Sequence, residues 1–314
     1  MSEDQTVGAN REWAGIAAIT ALWAGCGLNQ GFAQELEPRL YSNAPPGLNF
    51  LVAGYGHSEG NVLPDPSIGI QDAHMEVDGP VLGYARSLAF GGDSAQVAAA
   101  MGRVCLDGTA RYAGQTFVRD VCGLTDARLR LAWNFLGAPS MNLREFASYR
   151  QDFIMGAGLT VNVPVGNYDS TRLANIGTNR WAIKAELGMS KAIARWTLEL
   201  SGAGAFFGTN DNFFGGRIRK QDPMYSLQGH VIYGFASGIW LAGNATWYRG
   251  GRTTTDGLKG QDLQSNTRAG VTMSFPINRR QSIKLAGSTG VTARTGSDFD
   301  TLTAAWQYRF GAGL

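Results

Sequence analysis

The chain has 314 residues, enough for one large domain or two ordinary ones. Its 27 Lys+Arg nearly balance 25 Asp+Glu, so it lacks a basic nucleic-acid footprint and nucleic acid is not an expected partner. Apolar residues make up 44%, and no internal stretch reaches the about 18 consecutive apolar residues of a membrane helix, which excludes a bundle of such helices. Glycine stands out: 43 residues, well above the ordinary share of about 7%, disfavour helices and suit a curved, turn-rich sheet.

Trp13 to Gly25 is apolar and follows Arg11, and Gly31 and Ala33 supply small residues at −3 and −1 of a cut after Ala33. Residues 1–33 therefore read as a secretory signal, although Glu3, Asp4 and Glu12 are unusual so close to its start. A membrane-anchoring helix is the other reading of this run. The segment 34–47 is polar and contains Pro38, Pro45 and Pro46, too irregular for a strand.

From Leu48 onward there are about twelve strand-like runs, near 48–58, 74–89, 94–104, 124–136, 152–163, 180–190, 195–206, 225–235, 239–249, 264–275, 281–292 and 299–310. Each is about the 9–11 residues that a tilted strand needs to cross a bilayer, or slightly more. The connections are sorted by length. Residues 59–73, 105–123, 164–179, 207–224 and 250–263 are long, whereas 90–93, 191–194, 236–238 and 276–280 are tight. The stretch 137–151 breaks this pattern and is expected to hold a short helix from Asn142 to Tyr149. Short periplasmic turns alternating with long extracellular loops are the mark of an outer-membrane barrel, and a soluble sandwich has no reason to sort its loops this way.

Side chains agree. In the last run Leu302, Ala304, Trp306, Tyr308 and Phe310 share one face, and Thr303, Gln307 and Arg309 the other. Near 180–190, Trp181, Ile183, Ala185, Leu187 and Met189 oppose Lys184 and Glu186. The expected fold is therefore all-β: one antiparallel transmembrane β-barrel over 48–310. It lies in the outer membrane after signal removal and is followed by a C-terminal extension, 311–314. The segment 34–47 is then either a small plug folded into the lumen or a periplasmic tail.

Several phrases resemble the outer-membrane "MetA-pathway of phenol degradation" family: Glu37 to Phe50, Gly177 to Lys184, Phe213 to Gly216 with Gln221 to Tyr225, Gly250 to Thr253, and Trp306 to Phe310. The resemblance covers nearly all of the chain after the signal. It implies an outer-membrane β-barrel transporter associated with aromatic-compound breakdown, and brings no catalytic or ligand residues with it. Barrels of this kind usually stop at the final aromatic, so Gly311 to Leu314 is a departure.

Inward parity collects Arg86, Arg128, Arg130, Lys184, Arg195, Arg268, Lys284 and Arg309, against Glu76, Asp78, Glu186 and Glu199, and His230 joins them as a lumen-lining candidate. Two readings are open: a mildly cationic path for anionic or polarisable solutes, or cross-strand ion pairs that hold and fill the barrel. Cys105 and Cys122 flank the second outward loop and, in an oxidising compartment, are expected to form a disulfide. His57 and His74 lie at the outer ends of neighbouring strands, where a bland rim pair is expected rather than a gate or metal site. The loop Thr209 to Arg217 carries Phe213 and Phe214 and either captures solute or constricts the pore. No GxSxG or metal-ligand spacing is present, so no catalytic, metal or cofactor residue is assigned. The expected partners are outer-membrane lipid, the barrel-assembly machinery and a small solute. The expected function is passive uptake of small aromatic or hydrophobic compounds, with a closed structural or adhesive barrel as the alternative.

Overall fold

The computed structural model describes residues 36–312. The signal assignment, its cleavage after Ala33 and the last two residues lie outside that range. One closed antiparallel barrel contains β1 (Leu48–Leu63), β2 (Gln71–Phe90), β3 (Asp93–Tyr112), β4 (Ala127–Leu136), β5 (Phe153–Val163) and β6 (Ala182–Ile193). It continues with β7 (Trp196–Phe207), β8 (Met224–Gly234), β9 (Trp240–Gly250), β10 (Gln264–Pro276), β11 (Gln281–Thr292) and β12 (Gly296–Gly311). Each strand pairs with its chain neighbours. β12 returns to β1 in continuous register, from Leu48 opposite Gly311 to Leu63 opposite Gly296. Closure leaves no edge, as a hydrocarbon surround requires of a sheet.

The outward face is apolar. Leu82, Leu187 and Leu302 are each more than 60% exposed, which suits a lipid-facing wall. On β12 the rings of Trp306, Tyr308 and Phe310 stack in series, with centroids 6.0 and 5.8 Å apart. Gln307 and Arg309, between them, are buried on the inner side. The strand whose parity sequence leaves unclear, β9, resolves cleanly: Trp240, Ala242, Asn244, Thr246 and Tyr248 point in, Leu241, Ala245 and Trp247 out.

The turn between β2 and β3 is Gly91-Gly92, both at positive φ (61° and 90°), the left-handed pair that a two-residue hairpin matched to strand twist requires. The exceptional connection 137–151 contains the expected helix, Leu143–Ser148. Asn142 Oδ1 accepts from the Glu145 amide at 3.0 Å, and Glu145 Oε2 accepts from the Asn142 amide at 2.9 Å. This helix turns Phe146 inward against Ala44, Phe50, Ala85 and Ala98.

The outward loops are more ordered than their composition suggests. Residues 105–123 are a hairpin in which β3 runs on to Tyr112 and pairs with Gln115–Leu124 across an Ala113-Gly114 turn. A second, four-stranded sheet outside the barrel joins Asn210–Phe213, Arg217–Gln221, Thr253–Thr255 and Leu258–Lys259.

Candidate functional site: the lumen and its outer mouth

The segment before β1 crosses the lumen. Leu36, Glu37, Tyr41, Asn43 and Ala44 are all buried. Beginning at its first described residue, Leu36 lies in a small cavity with Asn244, Thr272, Ser288, Thr301 and Thr303. Glu37 sits 3.8 Å from Arg130 of β4. The Arg39 amide donates to Glu199 Oε2 of β7 at 2.7 Å, and its guanidinium lies 5.3 Å over the Trp240 ring of β9. Tyr41 donates its hydroxyl proton to Glu186 Oε1 of β6 at 2.6 Å. Asn134 Nδ2 donates to the Ser42 carbonyl and Asn43 Nδ2 to the Pro139 carbonyl, each at 3.1 Å. Finally Ser87 of β2 ties the segment to the barrel foot, accepting from the Gly47 amide at 2.9 Å. Of the two readings open for 34–47, the described part, 36–47, is an internal plug.

The contacts are made by the charged wall. Arg130 bridges Glu37 and Glu186, the latter at 3.2 Å, and Lys184 stands 3.6 Å from Glu186. Buried charges persist only when paired and hydrogen-bonded, and this cluster meets that condition across three separate chain segments. Arg128, Lys284 and His230 also lie on inward faces; His230 Nδ1 is 2.9 Å from Asn244 Oδ1. Arg268 spends its Nη2 on the Phe299 carbonyl at 2.8 Å and the Ser288 hydroxyl at 3.1 Å, and Arg309 donates to the Arg279 carbonyl. The wall is polar and charged, and much of that charge is used to hold wall and plug together, as the ion-pair reading expects.

Two assigned lumen residues are elsewhere. Arg86 is exposed on the outward face of β2, with Leu82 and Tyr84. Arg195 is exposed in the periplasmic turn before β7. Glu76 and Asp78 share Arg86's outward parity. The physical reason lies in β2 itself. Its inward face carries Ala85 and Ser87, which pack against the plug and the helix, and Val77, which packs against Val104, Leu106 and Ile176, rather than against water. Where both faces are apolar or small, alternation does not tell inside from outside. His57 and His74 do not meet either: their strand partners are Asp78 and Asn61, and His57 lies 3.6 Å from Glu76.

Sequence reasoning missed Glu37, Arg39 and Tyr41 as wall-contacting groups; their prolines mark irregular chain but not where it goes. The structure joins Cys105 to Cys122 across the outer hairpin.

At the outer mouth, Arg180 precedes β6 and is 8% exposed, its guanidinium 4.9 Å over the Phe207 ring. It donates to Gln221 Oε1 on the outer sheet. Arg219 shares that strand face two residues back and stands 4.7 Å over Phe213. Burial and then the neighbouring charge of Arg219 lower the Arg180 pKa, to about 9, with Tyr168 and Asp126 acting the other way.

The chain was compared with known proteins. Residues 56–307 match the family described as "Putative MetA-pathway of phenol degradation". The fold resembles the COG4313 outer membrane channel from Pseudomonas putida F1, with TM-score 0.73 and 20% identity over 88% of this chain and 100% of that one. It also resembles the β domain of the Bordetella autotransporter BrkA, with TM-score 0.52 and 12% identity over 84% of this chain and 100% of that one. Comparison with curated proteins gives no match. With the match spanning most of its length, the chain belongs to the family described as "Putative MetA-pathway of phenol degradation".

Proposed function

We propose that this protein is an outer-membrane channel for passive uptake of small aromatic or hydrophobic compounds. The observation that carries the reading is a closed barrel with a lipid-facing apolar exterior around a polar, charged interior. The family description and the inward aromatics Trp240 and Tyr248 support the aromatic preference. Outer-membrane lipid and the barrel-assembly machinery are the partners this reading requires, and no enzymatic role is assigned. The similarity to a solved outer-membrane channel supports passage of solute.

The competing reading, a closed barrel without transport, is favoured by the plug and its ion pairs. Conductance of the purified protein in planar bilayers, beside the same protein lacking residues 36–47, separates the two. A channel conducts in at least the shortened form, and a deletion strain loses uptake of labelled aromatic compounds. Silence of both forms with unchanged uptake would sink the channel reading.

A further inference from the structure

The outer mouth holds two arginines, Arg180 and Arg219, with no carboxylate at ion-pair distance among the described residues, Asp126 and Asp262 acting on them only from farther away. Arg180 Nη1 is buried and makes no hydrogen bond, so one donor edge of its guanidinium is idle while its flat face is occupied by Phe207.

The surrounding polar groups are committed elsewhere. Asp126 accepts from the Gly166 amide, the Thr178 amide and the Thr178 hydroxyl. Asp262, which faces Arg219, accepts from the amide and hydroxyl of Thr253 at 2.9 and 2.6 Å. The Tyr168 hydroxyl donates to the Asn212 carbonyl and accepts from Asn210 Nδ2. Two like charges close enough to act on one another, one of them carrying a buried orphan donor, form an arrangement that a bound anion would relieve.

We propose that Arg180 and Arg219 bind the carboxylate of an aromatic or similarly flat monocarboxylic acid entering the barrel from outside, with the apolar body of the acid resting on Phe213 and Phe214 of the same hairpin. A guanidinium edge is the best geometric match to a carboxylate; Phe213 ends a strand of the outer sheet, and the exposed Phe214 starts the turn that follows it. Arg219 is half-buried, so the acid reaches it from the mouth and its carboxylate then meets the deeper Arg180 Nη1. The inference rests on the channel reading and narrows it to anionic solutes at the entry step.

The test is direct binding of benzoate to the full-length protein in detergent micelles, followed by calorimetry, with benzamide as the uncharged isostere. Wild type is expected to bind benzoate saturably and benzamide hardly at all. Arg180→Gln and Arg219→Gln are each expected to weaken benzoate about tenfold or more, and Arg150→Gln, in the periplasmic connection, is expected to leave it unchanged. Folding is checked by the heat-dependent shift of the barrel on gels. Should Arg180→Gln not fold, the half-exposed Arg219→Gln carries the test alone. Equal affinity in Arg219→Gln and wild type, absent saturation, or benzamide binding as tightly as benzoate would each overturn the site. Acetate competing as well as benzoate would overturn its aromatic part. Benzoate binding without conductance would defeat the channel reading and leave the site standing, whereas conductance without binding would do the reverse.

Discussion

Gly188 faces the lumen on β6 at a point where a Cβ would stand 2.2–2.5 Å from the ring and hydroxyl of Tyr41. No real Cβ tolerates such contacts, so glycine here is what lets the plug lie against the wall. Gly188→Val suits a strand and alters nothing on the lipid side, but it must push Tyr41 off Glu186. Arg130 and Lys184 would still hold the carboxylate, so what is lost is one hydrogen bond to a charged group, about 1.5–3 kcal/mol, drawn from the plug's hold rather than from the barrel. We expect higher planar-bilayer conductance with an unchanged heat-dependent gel shift; wild-type conductance would mean the plug does not constrict the path.

Asp65 lies outside the membrane, between the first and second strands. Its carboxylate accepts from Ser67, at both hydroxyl and amide, and from the Gln261 amide, tying the first outer loop to the fifth. Partial burial works to raise its pKa, but the hydrogen bonds from Ser67 and then Gln261 outweigh it, and the pKa is lowered. A carboxylate depressed in the folded state stabilises the fold above its unfolded pKa of about 3.9, and that contribution disappears as pH falls through the folded value. Hydrogen exchange at residues 64–70 should therefore accelerate as pH drops below about 4, beyond the intrinsic chemistry. Asp65→Asn should show the fast exchange already at neutral pH; identical pH profiles for the two proteins would remove Asp65 from the contact. At this scale sequence was a mixed guide. Lys184 and Glu186 were legible because lipid enforces apolar neighbours at 183, 185 and 187, whereas Arg86 was not, because its strand's inner face packs on protein.

Among elements, the outer hairpin departs most from its sequence reading. Residues 105–123 look like a loop, since Asp107, Gly108 and Arg111 interrupt any apolar pattern. They pair nonetheless, because Val104, Leu106 and Val77 close over Ile176 from the next loop, and a tertiary cluster replaces the missing periodicity. The disulfide Cys105–Cys122 then closes a ring with a sequence separation of 17 residues. Such closure stabilises by about 3 kcal/mol through the unfolded state. The hairpin projects beyond the bilayer, so this gain belongs to a local unit and not to the barrel. With both cysteines replaced by serine, trypsin should cut faster at exposed Arg111, while the barrel keeps its gel shift. Loss of the shift itself would show that the bridge is needed for the whole fold. The plug is the opposite case. Its sequence marked it as irregular, and its path depended on Arg130, Glu186 and Glu199 from distant strands, which a local reading does not bring together.

For the whole molecule, the barrel was legible because the membrane imposes one rule on every strand at once. Outward positions must be apolar over the hydrocarbon span, connections are short on the side that never crosses, and the last strand must meet the first. What the lumen contains was less legible, since no comparable rule governs it. The membrane rule also makes a depth-dependent prediction within one strand. Leu187 sits mid-strand on β6 and is 64% exposed, while Ile193, with the same outward parity, ends the strand at the periplasmic side with 53% exposed. Leu187→Arg places a charge near the bilayer centre and should cost about 2–4 kcal/mol, whereas Ile193→Arg reaches the headgroups and should cost about 0–1 kcal/mol. Denaturant titration of the protein folded into phospholipid vesicles reads both values. A water-facing wall would charge similarly little at either position, so equal costs would mean that β6 does not span the bilayer in this register.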